Sequence, residues 1–415
     1  MLREYCKECN TFDGEEFVGL RFENGKPIIT FPRGYRCSEA DADVRKDIIR
    51  LLTILHRFND QLDGMDKKSN KGNGNSEFPI LSYQFVIFDF LSNGYYSEKD
   101  VEYRIANRGK ISWKRTIQRM NPVVDDGNIV YLDFIAKKSI NKSDVITKIH
   151  EYCVYESFSK LGWLYLSNTY IPRKPSLKFN RKMFLSVLND ALKNTFNNNK
   201  KLLFSSMIDI IKQADDKAEF PDVSYGVTRF EHIWENLINY VFGEDNKSDY
   251  FPHGHYRIIH NNTTVESSAL VPDTIMRVGN RLFILDAKYY KYGLIPYPAF
   301  LPPTASIHKQ ITYGDYIFAN RFTEADKIYN AFILPFKAEE GADVLKFVSV
   351  GTGDWIQYDE ETSNYKYVLV ILLDTKYIMD TYARHSMKDI EMMSAFIEEN
   401  LHKYKRGALL AGEKE

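Results

Sequence analysis

One stretch constrains this chain more than any other: Val271-Pro272-Asp273-Thr274-Ile275-Met276-Arg277-Val278-Gly279-Asn280-Arg281-Leu282-Phe283-Ile284-Leu285-Asp286-Ala287-Lys288. Gly279-Asn280 between apolar runs signals a two-residue β-hairpin loop, because such a loop needs positive φ. With that pair as the loop, Val278 pairs with Arg281, and pairing outward sets Asp273 opposite Asp286. Their Cβ atoms would then lie about 5 Å apart. A three-residue loop, or a bulge at Pro272, would shift the register by one. Lys288 is independent of that choice, since strand side chains alternate and Lys288 shares a face with Asp286. Leu282 to Leu285 is continuously apolar, as in a strand covered on both faces.

Two acids and a lysine at a buried strand end are costly unless they are paired or at work. Opposed carboxylates repel, and a bound divalent cation is the simplest thing that turns repulsion into attraction. Plainer readings exist for each residue. Asp286 and Lys288 could be an ion pair on an exposed strand, although the apolar run argues for burial. Asp273 after Pro272 could serve turn chemistry. A second Pro-Asp, Pro221-Asp222, shows how common that dipeptide is, and it lacks a downstream strand.

Upstream, Phe230-Glu231-His232-Ile233-Trp234-Glu235 opens a helical pattern with Trp234, Leu237, Ile238 and Val241 on one side. Glu231 and Glu235 share a face at i,i+4. These features in order resemble the PD-(D/E)xK nuclease core, with the acid pair and lysine at Asp273, Asp286 and Lys288. The resemblance spans roughly residues 225–383. It implies a mixed sheet flanked by helices, with a helix acid matched by Glu231 or, one turn later, Glu235. It also implies a later helix carrying Gln310, where the usual tyrosine spacing falls on Gly314 and Tyr313 stands one residue early. Asp286-Ala287-Lys288-Tyr289-Tyr290, Gly351-Thr352-Gly353-Asp354-Trp355 and Gly109-Lys110-Ile111-Ser112-Trp113-Lys114-Arg115-Thr116-Ile117 narrow it. They are similar to the LlaJI restriction endonuclease family and its McrC-like relatives.

The resemblance implies a DNA endonuclease dependent on Mg²⁺ (or Mn²⁺). Asp273, Asp286, the Ala287 carbonyl and Glu231 would hold the metal. Lys288 would orient the attacking water, and Gln310 would orient the water or the lysine. Members of this group work beside an AAA+ GTPase subunit of the McrB kind, and this chain carries no Gly-x-x-x-x-Gly-Lys-Ser/Thr loop of its own. Two other functions compete: a self-sufficient restriction nuclease, and a non-catalytic scaffold binding DNA or a motor. The intact acid–acid–lysine set argues against the scaffold.

Composition bounds the rest. A chain of 415 residues holds two or three domains, and 44% hydrophobic content is that of a globular protein. No apolar run reaches membrane-spanning length and no signal peptide opens the chain, so a cytoplasmic protein is expected. Net charge is −1, so contacts with double-stranded DNA must come from local patches. Cys6 and Cys9 form one close pair without a second, which favours free thiols over zinc. His253 and His255 could bind a metal, but no third ligand accompanies them.

The expected class is α/β and multidomain, with an N-terminal α+β region over 1–140, a helical region over 141–220 and the nuclease domain over 221–415. An amphipathic helix is expected over 42–59 and a polar, Gly/Asn-rich loop over 63–76. Residues 79–136 read as a winged helix: helices at 80–91, from Ser97 to about Asn107, and at 113–120, then strands at 122–124 and 128–134. The third helix carries Lys110, Lys114, Arg115 and Arg119, which could contact phosphates, meet a partner, or form a plain solvated face.

Overall fold

The structure, a computed structural model, describes residues 2–9, 16–23, 25–62, 78–106, 108–125, 128–142, 145–166, 170–214, 224–320, 322–339, 344–355, 362–384 and 386–412. The chain divides into two compact units, Met1–Asn75 with Asp222–Glu415, and Ser76–Pro221. This differs from three successive segments, because the N-terminal residues share a sheet with residues after 222.

That sheet begins with β1 (Cys6–Glu8), β2 (Val18–Glu23) and β3 (Lys26–Phe31). β2 and β3 pair antiparallel, and β1 runs parallel to β3. Helix α1 (Asp41–Leu62) follows, longer than its sequence pattern predicts. It buries Val44, Ile48, Leu51, Leu55 and Phe58, a stripe at helical spacing. The loop expected over 63–76 lies outside the described residues.

The second unit runs α2 (Ile80–Asn93), β4 (Glu98–Ile105), β5 (Lys110–Ile111), α3 (Trp113–Arg119), β6 (Val123–Asp125), β7 (Asn128–Val130), β8 (Ile135–Lys142), α4 (Val145–Tyr165), α5 (Arg181–Asn194) and α6 (Asn198–Gln213). The expected second helix is a correction: that segment is strand β4, paired antiparallel with β8 from Glu98↔Lys142 to Ile105↔Ile135. Val101, Tyr103 and Ile105 alternate with Glu102 and Arg104, a period of two that outweighs the cap-like Ser-Glu-Lys-Asp before it. Among the described residues, the three-helix order of a winged helix is therefore not present. The β6–β7 hairpin does form, with Val124 opposite Ile129. Between α5 and α6, the Asn197 side chain accepts from Lys200 N (3.1 Å) and caps α6. In α4, burial holds His150 down to about 4, so it stays neutral while its Nδ1 accepts from Tyr96 N.

The first unit resumes with β9 (Ser224–Val227), antiparallel to β2. Then come α7 (Glu231–Phe242), β10 (His255–Ile258), β11 (Thr263–Glu266), β12 (Thr274–Val278), β13 (Arg281–Ala287), α8 (Thr304–Ala319), β14 (Ile328–Phe336), β15 (Phe347–Gly353), β16 (Val368–Asp374), α9 (Thr375–Thr381) and α10 (Met387–Gly412). A five-stranded sheet takes the order β12-β13-β14-β16-β15, with β13, β14 and β16 parallel and both edges antiparallel. The parallel strands are buried along nearly their whole length, which is why their sequences are continuously apolar. Ile275, Leu282 and Ile284 on one face pack with Tyr313 and Ile317 of α8. Trp234 of α7 is fully buried and its Nε1 donates to Ile333 O (3.2 Å), fixing α7 to the sheet. Among the described residues, no helix is long and apolar enough to cross a membrane.

Candidate active site

The β12–β13 hairpin closes on Gly279-Asn280. Val278 lies opposite Arg281 and Thr274 opposite Leu285, so the next step outward opposes Asp273 and Asp286. Gly279 takes φ 64°, the left-handed value that a tight hairpin needs and that glycine adopts without steric cost. Asp273 Oδ2 accepts from Ala287 N (3.1 Å), tying the first carboxylate across the strand pair. Lys288 N donates to Ile333 O (2.9 Å), so the strand carrying the lysine stays in the sheet.

The cluster is held under electrostatic tension. Asp286 is 1% exposed, and neither of its carboxylate oxygens has a hydrogen-bond partner. Lys288 Nζ lies 2.5 Å from Asp286 Oδ2, close in charge though outside hydrogen-bond geometry. Burial pushes the Asp273 carboxyl up to about 8; the facing Asp286 adds to the rise, then Glu235, while Lys288 opposes it.

Asp286 continues the face of Leu282 and Ile284, and α8 covers that face. Gln310 on α8 is fully buried, and both atoms of its side-chain amide lack partners. Asn330 Nδ2 donates to Gln310 O (3.0 Å) and to Tyr365 O (2.6 Å), which fixes the helix over β14. Tyr313 OH donates to Val271 O (2.8 Å), two residues before Asp273. Burial, then the charges of Asp286 and Asp273, push that phenol up. At Gly314 a Cβ would stand 2.3 Å from Tyr365 Cδ2, so a larger residue there would force the helix off the sheet. The stretch ending β15 packs on the same helix: Gly353 faces Ile307, and the Trp355 ring meets His308 edge-on at 5.1 Å.

The two helix acids have different surroundings. Glu231 Oε1 accepts from Arg229 Nε (2.8 Å), and its charge acts on Tyr289. Glu235 sits 3.5 Å from His232 Nδ1, and its charge acts on Asp273.

Two supporting residues come from places the sequence did not signal. Lys247 Nζ donates to Asp273 O (2.5 Å) and Asn239 Oδ1 (3.0 Å), pinning the backbone of the first acid to α7. Arg33 N donates to Tyr289 OH (2.6 Å) and Arg33 Nη1 to Tyr289 O (2.7 Å), beside Lys288. Arg33 stands 256 residues from its partner, and no local pattern could announce such a contact.

Lys110, Lys114 and Arg119 are exposed in the second unit, while Arg115 is half-buried with its guanidinium 3.8 Å from the Tyr103 ring centre. His253 is exposed, and His255 lies 4.0 Å from Glu266. All four cysteines are buried and none forms a disulfide. Among the described residues, no group of three or more His, Cys, Asp or Glu side chains is arranged to hold a metal. The donor set at the hairpin is two carboxylates and the Ala287 carbonyl. It suits a hard cation such as Mg²⁺, which binds through one or two carboxylates and keeps waters or substrate phosphate for the rest. The buried Asp286 carboxylate, which carries no hydrogen bond, fits that role.

A family model described as LlaJI restriction endonuclease matches residues 17–354. A curated protein of Bacillus subtilis (strain 168), "Type II restriction enzyme BsuMI component YdjA", is 28% identical over 266 residues. The match covers 58% of this chain and 55% of that protein, so the chain spans about half the length of this relative.

Proposed function

Because the chain belongs to the LlaJI restriction endonuclease family, we propose that it is the DNA-cleaving subunit of a restriction system, a divalent-metal-dependent endonuclease with a PD-(D/E)xK centre. One observation carries the reading: two carboxylates opposed across a hairpin, one of them 1% exposed and without hydrogen bonds, beside a lysine 2.5 Å away. Such a cluster stores repulsion that a cation relieves, and strongly perturbed acids concentrate at functional sites.

Asp273 and Asp286 would hold Mg²⁺ or Mn²⁺ with the Ala287 carbonyl. When bound, the ion stabilises the charge that develops on the phosphate and the leaving oxygen. Lys288 reaches over the same face and orients the attacking water while offsetting phosphate charge. Gln310 supplies an unengaged donor and acceptor to hold that water or the lysine. Of the helix acids we assign Glu235 rather than Glu231 to the centre, because its charge acts on Asp273 while that of Glu231 acts on Tyr289. Lys110, Lys114 and Arg119 are assigned to DNA phosphates, with Arg115 beside them against Tyr103.

A partner is part of the proposal. The Bacillus relative is named as a component of its enzyme, and the McrC-like resemblance suggests an AAA+ GTPase of the McrB kind. The test is plasmid cleavage by the purified chain in Mg²⁺ or in chelator, with and without the product of an adjacent motor gene and GTP. Cutting that needs metal and rises at least about tenfold with motor and GTP is expected. Full cutting without the motor would establish a self-sufficient nuclease, and no cutting under any condition would remove the assignment.

A further inference from the structure

We propose that the ribbon of β10 and β11 is a duplex-DNA contact that seats in a groove beside the cleaved phosphate; the inference rests on the nuclease reading. The ribbon is exposed on both faces. From His253 to Glu266 every residue except Ile258 is exposed, and Ile259 near its tip is 96% exposed. A two-stranded ribbon alone is marginal in water, so one left bare on both faces is explained best by a ligand that covers it.

Its position selects that ligand. The strand pairing continues downward through Ser267 N to Gly254 O (2.7 Å) and Leu270 N to Pro252 O (2.9 Å). Leu270 precedes Asp273 by three residues, so the ribbon's base stands within about 10 Å of the first acid. Its paired residues extend it by about 14 Å more. A duplex with a phosphate at Asp273 and Asp286 runs within its reach. The major groove, about 12 Å wide, admits a two-stranded ribbon.

Its chemistry agrees. Arg257 pairs across the strands with Thr264 and His255 with Glu266 on one face; Tyr256 with Val265 and Ile258 with Thr263 make the other. Over 253–266, Arg257 and three histidines face Glu266 as the lone acid, on a chain of net charge −1. Arg257, Asn262 and Thr264 are side chains that bond phosphates and base edges. An apolar protein partner would be met by one face only and would leave Arg257 and Thr264 in water.

The test uses the full chain and a labelled duplex in Ca²⁺, which holds off cutting. Arg257→Ala should weaken binding by about five- to tenfold and lower the salt slope by about one. A photo-crosslinker at Ile259 should label the DNA. These positions are exposed, so melting should not move. If wild type binds and cuts, but Arg257→Ala and a Gly-Ser replacement of 259–262 bind equally and the crosslinker stays silent, the ribbon assignment fails and the nuclease centre stands. If wild type neither binds nor cuts duplex DNA, both readings fall.

Discussion

Lys288→Ala is expected to lower DNA cleavage by about a hundredfold to a thousandfold in saturating Mg²⁺, the cost of removing one positioned donor from a reaction centre. The structure adds a second signature. Lys288 is the cation beside Asp286, and its removal leaves a buried carboxylate uncompensated. The metal-free variant should therefore melt below wild type. Mg²⁺ can replace the lost charge but not the lysine's role toward the water, so it should restore melting without restoring rate. Cleavage at the wild-type rate would remove Lys288 from the chemistry. A melting deficit that Mg²⁺ does not touch would indicate a purely structural ion pair.

Asp273→Asn should do the opposite to stability while also abolishing cleavage. In wild type the Asp273 carboxyl is pushed up to about 8, chiefly by burial and then by Asp286. A carboxyl whose folded value lies above its ordinary 3.8 helps the fold when protonated. That help is fully present below the ordinary range and is lost as pH rises through about 8. Asparagine has no such proton to lose and can still accept from Ala287 N. Without divalent metal, the variant's advantage over wild type should therefore grow from about pH 4 to about pH 8. A tenfold difference in proton affinity between folded and unfolded chains is worth about 1.4 kcal/mol, and relaxation around the variant should bring the gain to roughly 2–4 kcal/mol. Denaturant unfolding at both ends of that range measures it. Equal stability at the alkaline end would mean that neither burial nor Asp286 destabilises the ionised Asp273 carboxylate.

The heart of this site was legible because it depends on parity and turn chemistry. Gly279 fixes the loop, the loop fixes the register, and alternation carries Asp273, Asp286 and Lys288 to one face. Apolar continuity over Leu282 to Leu285 likewise announced a strand covered on both faces. Other parts were illegible for physical reasons. Glu231 and Glu235 lie one turn apart, and periodicity cannot separate residues on one helix face. Arg33 and Lys247 act through contacts far apart in the chain, which leave no local pattern. Strand β4 was misread because Ser97-Glu98-Lys99-Asp100 imitates a helix start, while its pairing with β8 is decided 30 or more residues away. The β10–β11 ribbon is only four residue pairs long, too short for its alternation and the turn signal Asn261-Asn262 to announce it.

Every other role at this centre follows if Asp273 and Asp286 are the ligands of one divalent cation. Mn²⁺ binding, followed through the electron paramagnetic resonance of the free ion, addresses that claim without depending on DNA, partner or turnover. Wild type should bind Mn²⁺ saturably, with Mg²⁺ competing, and Asp286→Asn should weaken that binding by at least about tenfold. Unchanged Mn²⁺ binding by Asp286→Asn, or no binding by wild type, would contradict it.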